Sequence, residues 1–278
     1  MAYGDYELLR IHLNGGVATA VVDAPPINLM TLPLFGEITR FGAEVGDDES
    51  VRVVVLKSVN PDFFIAHFDV TAILDFPIEK EAERSPANPF HQMCERFRTM
   101  PKATIAQIEG RVGGGGCELI QAFDMRFGVV GQTILSQMEV PLGILPGGGG
   151  TQRLPRLIGR GRALEMILAG EDLDAETAER WGLLNRALAA DEIEPFVDRL
   201  ARRIASFSSE AIALAKESVN ASALPLAEGL IEEAYLFQRS VRTDAAQKRM
   251  RRFLEEGGQT RDGEIAVADL VGRLGNDD

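Results

Sequence analysis

A chain of 278 residues, 45% of them hydrophobic, carries enough apolar material for one large domain or two small ones. Its formal net charge of −13 argues against nucleic acid, which needs a clustered basic face, and leaves any anionic ligand to be met by local positive charge. Cys94 and Cys117 are the only cysteines, so a disulfide framework is not expected and a reducing compartment, the cytoplasm, is the default. The opening MAYGDYELLRIHL mixes acids with alternating apolar residues, and neither a signal peptide nor a membrane span is expected.

Residues 6–22 read as two short strands about Asn14-Gly15-Gly16, since asparagine and glycine tolerate the positive φ of a tight hairpin. Leu34, Ile38, Phe41 and Val45 then mark one face of a helix, and residues 51–56 form a buried-type strand. The stretch 75–87, rich in Glu, Lys, Ser and Pro, is a polar insertion that fits either a solvated connector or a substrate lid. Strands followed by helices recur at 103–108 with a helix after Gly116, and at 127–135 with a helix after Gly150. The pattern is a repeated ββα unit over residues 1–190. From 191 to 278 the strands stop. Ile193, Phe196, Val197, Leu200, Ala201 and Ile204 define a strongly amphipathic helix, and further helices fit 209–219, 226–239 and 245–255. A helical tail of this size cannot bury all its apolar faces on itself.

Two glycine runs carry the chemistry. Gly113, Gly114, Gly115 and Gly116 precede Cys117 and Glu118, and Gly147 to Gly150 follow Glu139. Four consecutive glycines give no side-chain packing, so they belong where backbone approaches another group closely. With Gly115 and Gly116 at a helix N-terminus, free N–H donors and the positive end of the helix dipole suit an oxyanion or a phosphate, and Glu118 falls in the first turn. A P-loop requires Gly-Lys-Ser/Thr, and a dinucleotide fingerprint requires a third glycine inside the helix; neither is present. Close helix packing alone would also account for the first run. Cys117, set among glycines with no nearby histidine in sequence, reads as a packing residue.

The segments GRVGGGGCEL (110–119) and EVPLGILPGGGGTQRL (139–154) resemble the enoyl-CoA hydratase/isomerase, or crotonase, family, and the similarity extends to about residue 255. The resemblance implies an α/β, crotonase-like spiral of repeated ββα units with a C-terminal α-helical trimerisation region. It implies a homo-oligomer, a trimer or a dimer of trimers. It also implies an acyl-CoA thioester substrate, with coenzyme A part of that substrate and neither a separate cofactor nor a metal. Backbone N–H groups of Gly115 and Phe68 would stabilise an enolate oxygen, and Glu118 and Glu139 would act as acid and base. Ala66, His67, Asp69, Gly114, Gly116, Pro146 and Gly147 would flank the substrate. Lys248, Arg249, Arg251 and Arg252 are candidates for the CoA phosphates or a solvated helix face. Both glutamates together favour hydration, with double-bond isomerisation, thioester hydrolysis and non-catalytic thioester binding as alternatives. The family's usual glycine is replaced by His67, for which pocket shaping, contact with the adenine or thioester, proton transfer and plain packing are all open.

Overall fold

The computed structural model describes residues 3–76, 84 and 86–275. Most of the polar insertion (77–83 and 85) lies outside the described residues. The chain opens with a hairpin, β1 (Leu9–Asn14) and β2 (Val17–Val22), turning on Gly15 and Gly16 at φ of 57° and 80°. Helix α1 (Leu32–Asp47) follows, capped by the Thr31 hydroxyl and burying Leu34, Ile38, Phe41 and Val45 as the spacing predicts. Three strand pairs come next: β3 (Val53–Ser58) with β4 (Phe63–Ile65), β5 (Ala103–Ile108) with β6 (Arg111–Gly113), and β7 (Met125–Val129) with β8 (Ile134–Ser136).

The first strand of each pair joins a six-stranded sheet of order β1-β2-β3-β5-β7-β10, and the second joins a four-stranded sheet, β4-β6-β8-β9. Here β9 is Leu173–Asp174 and β10 is Arg186–Leu188. Apart from the hairpin and the β8–β9 pair, neighbours run parallel. Each ββα repeat is thus one turn of a spiral that adds a strand to both sheets. Helices α2 (Val70–Leu74) and α3 (Pro89–Thr99) complete the first turn, α4 (Gly114–Ile120) the second, and α5 (Gly150–Ile158) the third, with α6 (Arg160–Ala169) and α7 (Ala175–Trp181) beyond it. The larger core includes Phe41, Phe64, Phe97 and Leu119.

Two boundaries differ from the sequence reading. Val51 N–H bonds to Asp48 O and Val51 O accepts from buried Lys102, so Val51 closes a turn and the strand begins at Val53. Helix α4 starts at Gly114, which moves Glu118 into the second turn, and it stops at Ile120. The buried Arg126 guanidinium donates to Phe123 O at 2.6 Å and Ile120 O at 3.4 Å, satisfying carbonyls that a longer helix would have used internally.

The remaining helices are α8 (Ile193–Ala205), α9 (Ser209–Asn220), α10 (Leu226–Val241), α11 (Asp244–Glu255), α12 (Arg261–Ile265) and α13 (Val267–Arg273). The last two, from a stretch without a sequence-assigned role, fold back toward α8: Leu270 is buried and Arg203 donates to Ala268 O. Helix α8 lays Ile193, Val197, Ala201 and Ala205 on Val53, Val55, Ile105 and Phe127 of the large sheet. By packing, this helix belongs with the strands. A fragment ending at residue 190 would bare that sheet face, and burying a single large side chain is worth about 1.5–3 kcal/mol. The fragment is therefore expected to lose cooperative thermal unfolding; a sharp transition in calorimetry would refute this assignment of α8.

Candidate active site

Three parallel strands of the small sheet end on one side of the molecule, and their following loops deliver the candidate groups. After β4 comes Ala66 to Asp69, after β6 the first glycine run and α4, and after β8 Gln137 to Glu139. The buried Asn28 side chain ties the preceding turn to β4, donating to Phe63 O and Phe64 O at 3.0 and 3.1 Å. The Ala66–Asp69 loop lies against Met30: Met30 N–H donates to His67 O (2.9 Å) and Asp69 N–H to Met30 O (3.0 Å). That pairing turns the Phe68 N–H to the opposite side, where it meets no acceptor among the described residues. Gly115 stands in the first turn of α4, whose cap residue Gly113 has no side chain to offer. Its N–H is likewise without an acceptor among the described residues. A Cβ placed on Gly115 would lie 3.1 Å from Phe68 Cβ, so the two unpaired donors are neighbours.

Both carboxylates face the same cavity of about 770 Å³, whose lining includes Phe68, Gly115, Glu118, Glu139 and Gly147. Glu118 is 4% exposed, and its Oε1 accepts from Gly148 N–H and Gly150 N–H, each at 2.8 Å. The second glycine run therefore holds the glutamate of the first. A Cβ at Gly148 would sit 2.7 Å from Glu118 Oε2, and one at Gly150 would sit 3.0 Å from Oε1. Burial pushes the Glu118 carboxyl up to about 7, against the pull of the Gly150 N–H, with the charge of Glu139 adding to the rise. Glu139 is 8% exposed, and both its oxygens lie 3.3 Å from Gln137 Nε2. Burial raises its pKa as well, opposed by hydrogen bonds from its own backbone and from Gln137 and by the charge of His67.

The other expected residues take supporting places. Gly113 and Gly116 let the first run pass close to β4 and the loop after it: a Cβ would come within 2.6 Å of Ala66 O and 2.8 Å of Ile65 respectively. Gly114, at φ 46°, has His67 Cβ and Glu139 Oε1 each 3.2 Å from where its Cβ would be. Asp69 caps α2 through Thr71 N–H, and Pro146 packs beside Gly150. His67 Nδ1 bonds Phe68 O at 2.8 Å, and among the described residues its ring is not one of the cavity-lining groups. Burial pushes the Cys117 thiol up to about 12, which keeps it a packing group. Of the four basic candidates on α11, Arg249 bonds Ser206 O and Arg252 pairs with Glu256, while Lys248 and Arg251 are exposed; none lines the cavity.

Sequence reasoning missed three parts of this site. Phe35 and Phe90 line the cavity from α1 and α3. Gln137, fully buried, donates to both Glu139 and Gly114 O. Arg153 reaches from α5 to Gly148 O (2.9 Å) and Glu95 (2.8 Å), fixing the loop that grips Glu118. Arg153 alone had a signal, its place three residues after the second glycine run. A second cavity, of about 580 Å³, is lined by Tyr3, Asp5, Arg40, Glu44, Asp47 and Asp48; it shares no group with this site, and its acidity does not suit an anion.

The raised pKa of Glu118 makes a stability prediction. Between the ordinary carboxylate value of 4.5 and about 7 the folded state holds a proton that the unfolded state releases, so stability falls as pH rises through this window. Glu118→Gln removes that dependence and is expected to stabilise the fold relative to native at pH 8, by up to ~3 kcal/mol, with the difference shrinking toward pH 4.5. Denaturant unfolding at the two pH values checks it; an equal difference at both would contradict the assignment.

A family model for enoyl-CoA hydratase/isomerase matches residues 12–261. A protein of Mycobacterium leprae named a probable enoyl-CoA hydratase is 34% identical over 233 residues, covering 83% of this chain and 88% of the relative. The crotonyl-CoA hydratase of Syntrophomonas wolfei is 30% identical over 216 residues, covering 77% of this chain and 82% of its own. Among solved structures, an enoyl-CoA hydratase from Geobacillus kaustophilus superimposes with a TM-score of 0.83 at 28% identity, covering 92% of this chain and 96% of that one.

Proposed function

The chain belongs to the enoyl-CoA hydratase/isomerase family, and we propose from that premise that it adds water reversibly across the double bond of an α,β-unsaturated acyl-CoA. The observation that supports hydration over the family's other reactions is the pair of buried glutamates facing one cavity beside two unpaired N–H donors. Addition of water at Cβ places negative charge on the thioester oxygen, where Gly115 and Phe68 N–H can receive it. One such donor is typically worth ~2.7–4 kcal/mol of barrier. One glutamate takes a proton from the attacking water as the other delivers a proton to Cα. A carboxyl group with a pKa of about 7 serves either duty near neutral pH, since both of its forms are populated. Gly148 and Gly150 engage Oε1 alone, which leaves Oε2 of Glu118 for the water. No metal or separate cofactor enters this scheme; coenzyme A arrives and leaves with the acyl group.

Glu118→Gln and Glu139→Gln keep the shape of each side chain but cannot move protons. Each is expected to lower hydration of the best enoyl-CoA at least ~100-fold, read as retained absorbance of the conjugated thioester. Near-native turnover in either variant would remove that residue from the mechanism.

Assembly as a trimer or a dimer of trimers is part of the same proposal. Leu226, Ile231 and Phe237 of α10 are 79%, 71% and 64% exposed, and α9 adds Val219. Apolar surface on this scale is rarely left in water. For the phosphates of CoA the candidates are still Lys248, Arg249, Arg251 and Arg252 of α11, with a solvated helix face as the alternative. A cytoplasmic location accords with two unpaired, buried cysteines, and no helix among the described residues is long and apolar enough to cross a membrane. Sedimentation at micromolar concentration is expected to give a trimer or hexamer; a monomer would overturn the assembly.

A further inference from the structure

The cavity wall around the N–H donors restricts the acyl group, on the premise that the site binds a CoA thioester. The side chains nearest Gly115 are those of Phe68 and Phe90: a Cβ on Gly115 would be 3.1 Å from the first and 3.5 Å from the ring of the second. Gly115 therefore stands in a corner of the cavity walled by these two side chains. Phe35 completes the corner. Its ring is parallel to Phe90, with centroids 5.9 Å apart and planes at 6°, while Phe68 meets both nearly edge-on, at 70° and 74°. All three are only partly buried and line the cavity.

We propose that the site is built for enoyl thioesters whose β-carbon carries a bulky, uncharged aryl group. A flat ring reaching this corner would join three phenyl side chains, and aromatic pairs gain beyond the area they bury. An alkyl chain gains from buried area but lacks that contribution. A tail ending in a carboxylate is disfavoured for a different reason: among the described residues the ionisable side chains in the lining are Glu118 and Glu139, with no Lys, Arg or His to receive a second negative charge.

Saturated thioesters test recognition apart from hydration. With the native full-length chain, dissociation constants are measured by calorimetry for butanoyl-, decanoyl-, 3-phenylpropanoyl- and glutaryl-CoA, and hydration is followed separately with cinnamoyl- and crotonoyl-CoA. 3-Phenylpropanoyl-CoA is expected to bind tightest, at least ~10-fold tighter than butanoyl-CoA, with glutaryl-CoA weakest. Each aromatic contact is worth ~2- to 12-fold, so Phe35→Leu and Phe90→Leu should each lower the phenylpropanoyl-to-butanoyl preference by at least ~2-fold. Tighter binding of decanoyl- or glutaryl-CoA, or an unchanged preference in both variants, overturns the inference. If a variant loses all four affinities, its fold has failed, and the native order decides. Should the thioesters bind in the expected order while cinnamoyl-CoA and crotonoyl-CoA gain no water, the hydratase proposal falls and the inference stands. If none binds, both fall.

Discussion

Everything at this site depends on placing two carboxylates out of water within one cavity while leaving them able to ionise. An isolated buried carboxylate would stay protonated, because desolvation without compensation costs several kcal/mol or more. Glu118 escapes that fate through two backbone donors, Gly148 and Gly150, and these can reach it only because neither glycine carries a Cβ. The balance of burial against donated hydrogen bonds sets its carboxyl near 7 instead of leaving it inert. Lengthening either glycine side chain would therefore alter the proton chemistry as well as the packing.

The spiral explains how groups so far apart in sequence meet. Each ββα turn contributes one short parallel strand to the small sheet, and the loop beyond each strand's C-terminal end brings one element: Phe68, then Gly115 with Glu118, then Glu139. Ligand sites gather at the carboxyl ends of parallel strands because those loops share one edge of the sheet. The larger sheet carries the mechanical burden. It packs α1 and α3 on one side and α8 on the other, so residues beyond 190 brace a site to whose lining, among the described residues, they do not contribute.

The glycine runs and their glutamates were legible in sequence because their constraint is local: a run of residues without Cβ marks close approach wherever the chain folds. The strand pairs and amphipathic helices were legible through periodicity. What escaped was set by tertiary context. Helix α4 ends at Ile120 because Arg126, from the next strand, takes the carbonyls at its end. Phe35 and Phe90 look like ordinary core positions in their helices, and only the spiral brings them to Phe68. Gln137 reads as one polar residue near a strand until Glu139 and Gly114 are found on its amide.

His67 shows how the loop after β4 accepts a bulky side chain. Backbone from Ala66 to Asp69 is held alongside Met30 by bonds to the peptide groups, not to side chains. Because the donor is a main-chain N–H, residue identity on the loop is constrained only by what each side chain must avoid. In extended backbone successive side chains diverge, so Phe68 enters the cavity whereas His67 stays outside it, its Nδ1 bonded to Phe68 O. The tight glycine requirements lie instead in the first run: a Cβ on Gly113 or Gly116 would come within 2.6 Å of Ala66 O or 2.8 Å of Ile65, and Gly114 stands at φ 46° with His67 and Glu139 each 3.2 Å from its Cβ position. The charge of His67 favours the ionised form of Glu139.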